Sequence, residues 1–127
     1  MNGNARLVRS NLLPVVSEHT NDLEMRQLVS REFDGPDISM TWVEIAGEHK
    51  PLKTDSSTRV YYILEGDFVF DCQGTELMNA TAGDVVIIYK SCIYSFVGKG
   101  RYLVMNGPAF QDGDDIYVEE RHGRGAE

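Results

Sequence analysis

Apolar and polar residues alternate with a period of two through the middle of the chain, and no stretch sustains the period of about 3.6 that an amphipathic helix needs. The clearest run is the octad from Arg59 to Gly66, branched and aromatic residues closed by a glycine, which the pattern predicts as the central strand of a small barrel. Around it the alternation predicts short extended pieces at Leu28 to Phe33, Met40 to Ala46, Phe68 to Cys72, Glu76 to Asn79, Val85 to Tyr89, Tyr94 to Val97 and Arg101 to Met105. Turn residues separate them: Asp-Gly-Pro-Asp at 34–37, Gly47, Gln73-Gly74, Ala82-Gly83-Asp84 and Gly98-Lys99-Gly100. Lys50 to Thr58, polar and carrying Pro51, reads as a loop, while Val85 to Tyr89 is apolar on both faces, as expected of a strand covered on both sides.

The ends carry weaker patterns. Residues 1–11 read as a loose arm, and Leu12 to Val16 as a short edge strand interrupted at Pro14. Ser17 to Gln27 has helical composition but buries only Leu23 and Met25, so it reads as one turn of helix at most, or a loop leading into a strand. Past Phe110 the tail, 111–127, is mostly charge and glycine, with its last six or so residues expected to be mobile. Short strands recurring about every ten residues, with no long helix, indicate an all-β sandwich or barrel in a single domain spanning 1–127.

Composition narrows the partners. A hydrophobic fraction of 42% and a charged fraction of 25% suit a globular domain with a core of its own. The net charge of −8 repels phosphate backbones and anionic membranes, so neither nucleic acid nor membrane is an expected partner. Cys72 and Cys92 have neither CxxC spacing nor a histidine cluster nearby, which argues for free thiols rather than a zinc site or a disulfide scaffold. With no apolar run near the roughly 18 to 20 residues of a membrane span and no hydrophobic signal core, the expected location is cytoplasmic.

Alternation also orients the octad. If Arg59 points into the barrel, Tyr61 and Ile63 do too, leaving Val60, Tyr62 and Leu64 outside. So apolar an outer face calls for cover from a second sheet or a second subunit, and a homodimer is expected.

The glycine spacing resembles the cupin superfamily. That family's first motif is Gly, five residues, His-x-His, three or four residues, Glu, six residues, Gly. Here Gly47 is followed after five residues by Lys53-Thr54-Asp55, after three more by Arg59, and after six more by Gly66. The second motif, Gly, five residues, Pro-x-Gly, two residues, His, three residues, Asn, is matched by Gly83, Tyr89-Lys90-Ser91, Tyr94 and Gly98. Sixteen residues, Asp67 to Ala82, lie between. The resemblance covers about residues 40–108 and implies a cupin-type β-barrel, the double-stranded β-helix or jelly roll. Tyr-Tyr-Ile-Leu-Glu-Gly and Ala-Gly-Asp-Val-Val-Ile-Ile are also similar to the small cupins of the ethanolamine-utilisation type.

The frame survives while the family's metal ligands do not. Lys53, Asp55, Arg59 and Tyr94 stand where a metal cupin carries three histidines and a glutamate, and two fixed cations among four positions repel a divalent ion. The expectation is therefore no metal and no cofactor, and a polar pocket of Lys53, Asp55, Arg59, Tyr61 and Tyr94. Arg59 would offer a fork for an anion, while Asp55, Tyr94 and Lys53 would carry acid/base chemistry. The alternative is an ion-pair cluster in a barrel without chemistry, with Tyr94 filling the space of a histidine.

Further candidates are His49 in the turn before the motif, Trp42 and Glu44 if their shared strand face is the inner one, Cys92 near the entrance, and Phe96 and Met105 as barrel lining. The resulting expectation is a metal-independent isomerase, epimerase, cyclase or lyase acting on a small anionic or carbonyl-containing molecule. The alternative is a cupin that binds a small molecule without turning it over.

Overall fold

The computed structural model describes residues 3–118. After a 3-10 turn at Ser10–Leu12 come β1 (Val16–Glu18), β2 (Leu23–Val29), a single helical turn α1 (Arg31–Asp34), β3 (Ser39–Lys53), β4 (Thr58–Cys72), β5 (Met78–Thr81), β6 (Val85–Ile88), β7 (Tyr94–Gly107) and β8 (Ile116–Tyr117). All pairings are antiparallel, in the order β1-β2-β3-β7-β4-β5, with β6 also on β4 and β8 on β3. The all-β expectation holds, and no described helix is long and apolar enough to cross a membrane.

The strands are fewer and longer than the pattern predicts. The octad and Phe68 to Cys72 form one strand, β4, with a register shift between Ile63 and Glu65. Tyr94 to Val97 and Arg101 to Met105 are likewise one strand, β7, running straight through the expected turn at Gly98-Lys99-Gly100. The glycines there serve close approach rather than reversal. Gly66 pairs with Gly100 and Phe68 with Gly98, and a Cβ at any of the three glycines would collide with backbone carbonyls of the facing strand. Similarly, β3 continues past Gly47, whose φ of 136° only glycine adopts easily, through Pro51 to Lys53, where a loop is expected.

Three other segments differ from expectation. Ser17 to Gln27 supplies most of β1 and of β2, because Leu23 and Met25 alternate toward the core once β3 pairs beside them. Leu28 to Phe33 does not stay extended; the Ser30 hydroxyl accepts the Phe33 N–H and caps α1. The tail contributes β8, and its expected mobile end lies outside the described residues.

The sheet buries one face. Arg59, Tyr61 and Ile63 point inward and Tyr62 and Leu64 outward, as alternation requires. Tyr61, Phe68, Phe70, Phe96 and Tyr102 form an aromatic cluster at the core, mostly edge-to-face, each such pair adding about 0.5–1.5 kcal/mol beyond burial. Within the chain, β6 is buried only through Val86 and Ile88; Val85 and Ile87 stay exposed, where cover on both faces is expected.

Candidate functional site

At one end of the barrel, a cavity of about 270 Å³ opens between β2, β3, β4, β7 and the segment leading to β8. Alternation decides what reaches it: Thr41 and Val43 from β3, Arg59 and Tyr61 from β4, and Tyr102, Val104 and Asn106 from β7. Glu18, Asn21, His49, Asp115 and Tyr117 add further polar groups to the wall.

Arg59 is the central tie. Its Nε donates to Asn106 Oδ1 at 2.6 Å, Nη1 to the Tyr94 hydroxyl at 3.2 Å, and Nη2 to Asp115 Oδ1 at 2.6 Å. Burial, at 4% exposure, works against its charge, but Tyr94, Tyr61 and Asp115 more than offset this and hold it above the ordinary arginine value. The Tyr61 and Tyr94 hydroxyls lie 2.5 Å apart. Burial raises both phenols, Tyr61 the more, so each keeps its proton at neutral pH. Three of the five guanidinium N–H groups are thus engaged by the protein, while Arg59 still lines the cavity.

Proton positions around His49 follow from donor and acceptor identities. The Lys50 N–H must donate, so the Asn21 atom facing it at 2.7 Å is the amide oxygen. The Asn21 NH2 therefore points its hydrogens at His49 Nε2, 3.2 Å away, and at the Tyr117 hydroxyl, 3.0 Å away. The other ring nitrogen, Nδ1, lies 3.2 Å from the Lys50 carbonyl and so carries the hydrogen. His49 is buried and stacked on Phe96 at 4.8 Å, and desolvation lowers its pKa. The result is a neutral imidazole with an unprotonated Nε2 beside the cavity. Burial pushes Tyr117 up to about 12, against the pull of the Asn21 hydrogen bond, leaving its hydroxyl hydrogen for another acceptor.

Of the candidates from sequence, Arg59, Tyr61 and His49 line the cavity. His49 does so from within β3, buried rather than in a turn. Tyr94 stands behind Tyr61, and Phe96 beneath His49. Lys53 and Asp55 do not join them. They pair with each other at 3.3 Å on the exposed rim, where the Ser91 hydroxyl, 2.7 Å from Asp55, and then Lys53 hold the Asp55 carboxyl below its usual range. Trp42 and Glu44 lie on the outer face, opposite in sense to buried Val43 and Ile45; Trp42 is covered by the Arg26 guanidinium at 4.7 Å, and Glu44 pairs with Arg101 at 3.1 Å. Met105 shares the outer face, since its neighbours Val104 and Asn106 point inward. Cys92 packs half-buried against the core beside Cys72, whose thiol burial pushes up to about 12, and it does not line the cavity.

Sequence reasoning missed Asn21, Tyr102, Asn106, Asp115 and Tyr117. Period-two alternation from Tyr94 was the available signal for Tyr102 and Asn106. The four motif positions do not form a ligand set for a metal: one is Arg59, ion-paired to Asp115, one a protonated phenol, and Lys53 and Asp55 are paired on the rim. Among the described residues, no group of three or more His, Cys, Asp or Glu side chains is placed to hold a metal ion.

No family model and no curated protein sequence matches the chain. Solved structures do match its fold. The nucleoside dehydratase Pac13 is 16% identical, with 91% of this chain and 92% of that chain covered and a TM-score of 0.76. Forms of the Streptomyces Pac13 protein carrying a His→Gln or Tyr→Phe substitution, solved with uridine, match similarly. An RmlC-like cupin from Shewanella frigidimarina is 18% identical, covering 88% and 98%, with a TM-score of 0.70. The polyketide cyclase RemF from Streptomyces resistomycificus is 16% identical, covering 91% and 87%, with a TM-score of 0.74. At these identities the likeness establishes the fold, a cupin β-barrel.

Proposed function

We propose that this protein is a metal-independent acid/base catalyst acting on a small carbonyl- or hydroxyl-bearing molecule held in the barrel, by elimination, isomerisation or cyclisation. The observation that carries the reading is the pairing, in one cavity, of a neutral His49 whose Nε2 lacks a proton with phenols that keep theirs. In an elimination, Nε2 takes a proton from the carbon beside a carbonyl, Tyr117 or Tyr61 gives one to the departing hydroxyl, and water leaves. The imidazolium proton then restores the phenol, so the protein ends as it began. In an isomerisation, the proton returns to a different carbon.

The likeness to a nucleoside dehydratase and a polyketide cyclase supports a small-molecule reaction of this kind. The test is incubation with nucleosides and with polyketide-type ketones, followed by mass spectrometry for loss of water and by proton exchange for isomerisation. Turnover that disappears in a folded His49→Gln variant, and that survives chelation, supports the reading; turnover unchanged by that substitution overturns it.

One observation favours a second reading, a non-catalytic binding protein. The Asn21 N–H already occupies His49 Nε2 at 3.2 Å, so a substrate proton has to displace it. Under this reading, ligands raise the melting temperature and none is converted.

A further inference from the structure

We propose that the inner wall of the cavity recognises an uncharged ligand, with Tyr102, Thr41 and Asn106 holding its carbonyl and hydroxyl oxygens. This names the substrate class of the site above and rests on the reading that the cavity holds a small molecule.

Two buried groups on that wall have hydrogen-bonding capacity that the protein leaves unspent. Tyr102 is 2% exposed, yet its hydroxyl has no hydrogen-bond partner among the described residues. Asn106 is 6% exposed; its Oδ1 accepts from Arg59, while its NH2 has no acceptor among the described residues. Neither atom is sealed from solvent, since the described buried polar atoms without a partner are Arg26 Nε, Arg31 Nε and Ser57 Oγ; both open onto the cavity, where a ligand oxygen can take the place of water. Both residues line the cavity, on the same face of β7 with Val104 between them, and Thr41 faces Val104 across the β3–β7 pairing. The wall therefore presents a phenol, an aliphatic hydroxyl and an amide NH2 around one apolar step. The NH2 can only donate and burial keeps the phenol protonated, so both ask for oxygen acceptors.

Charge excludes the ionic alternatives. Glu18 and Asp115 give the cavity two carboxylates against one cation, Arg59, and that cation is closed by the 2.6 Å bond to Asp115. An anion would meet a cation already paired to Asp115 and an excess of negative charge. A cation drawn to the carboxylates finds them engaged, Glu18 by the Thr20 and Asn21 N–H groups and Asp115 by Arg59, while the inner wall turns N–H groups toward it. A neutral molecule rich in oxygen acceptors satisfies the wall and keeps the carbon to be deprotonated near His49.

Calorimetry on the full chain with matched pairs tests this: uridine against uridine 5′-monophosphate, glucose against gluconate, benzamide against benzoate. The uncharged member of a pair should bind at least about tenfold tighter than the acid. Tyr102→Phe and Thr41→Val keep the shape of the wall and should each weaken that binding about fivefold with the melting temperature held. Preference for an acid member, or affinity unmoved by both substitutions, overturns the proposal. Failure of the catalytic reading would look different: binding with the expected preference but no product.

Discussion

Arg59 Nη2 lies 2.6 Å from Asp115 Oδ1, and this bond joins the start of β4 to the segment that carries β8. It helps close the cavity, because among the described residues β8 holds two residues and pairs with β3 alone. Removing Asp115 leaves a guanidinium buried with its charge uncompensated. Asp115→Ala is expected to cost about 3 kcal/mol, the lower end for a broken buried pair since Asp115 is partly exposed. Urea unfolding measures the loss, and hydrogen exchange should show faster exchange of the Val118 amide, which bonds to the Pro51 carbonyl.

His49 ties stability to pH. Desolvation lowers its pKa below 6.5, so between the two values the unfolded chain binds a proton that the folded chain does not. Its contribution is fully present above about 6.5 and is lost as pH falls toward the folded value. The groups facing the ring are Glu18, Arg59, Asp115 and Tyr117. The urea midpoint of the native protein should therefore drop between pH of about 7.5 and about 5.5 by more than that of His49→Gln. Equal drops would remove His49 from the cause.

Asn21 sets which nitrogen of His49 holds the proton. Its oxygen is pinned by the Lys50 N–H, and a second ring hydrogen on Nε2 would face the Asn21 NH2. An aspartate at this position offers Nε2 an acceptor instead. Asn21→Asp should move the proton to Nε2, raise the His49 pKa and shift the acid limb of any pH–rate profile to higher pH. Nitrogen chemical shifts of the ring report the tautomer independently of activity; an Nε2–H form in the native protein would contradict the assignment.

What the sequence disclosed depended on whether a residue's partner was local. The inward set Arg59, Tyr61 and Ile63 was legible because alternation along one strand is a local property. The sign of that alternation is not local, which is why Trp42 and Glu44 had no assignable side until β3 was placed beside β7. Gly98 and Gly100 mark either a turn or a close approach of two strands, and only the pairing with β4 tells which. Asn21, Asp115 and Tyr117 lie in polar segments with no period, and they reach the cavity through contacts 28, 56 and 96 residues apart in the chain.

The outer face of the sheet makes the last prediction. The pairings set two apolar rows side by side across four strands: Ile87, Val60, Met105 and Met40 in one, Val85, Tyr62, Leu103 and Trp42 in the next. Val85 and Ile87 are 53% and 47% exposed, and the ion-paired Glu44, Arg101 and Glu65 bound the patch at one end. An apolar centre with a charged rim is the anatomy of a protein interface. We propose that a second copy of the chain covers it. Between two copies of a chain of net −8, an uncharged contact of this kind avoids setting like charges face to face. Sedimentation should find a dimer that Tyr62→Glu, on the exposed side of β4 and remote from the cavity lining, converts to a folded monomer. A native protein that sediments as a monomer at every accessible concentration rules the contact out.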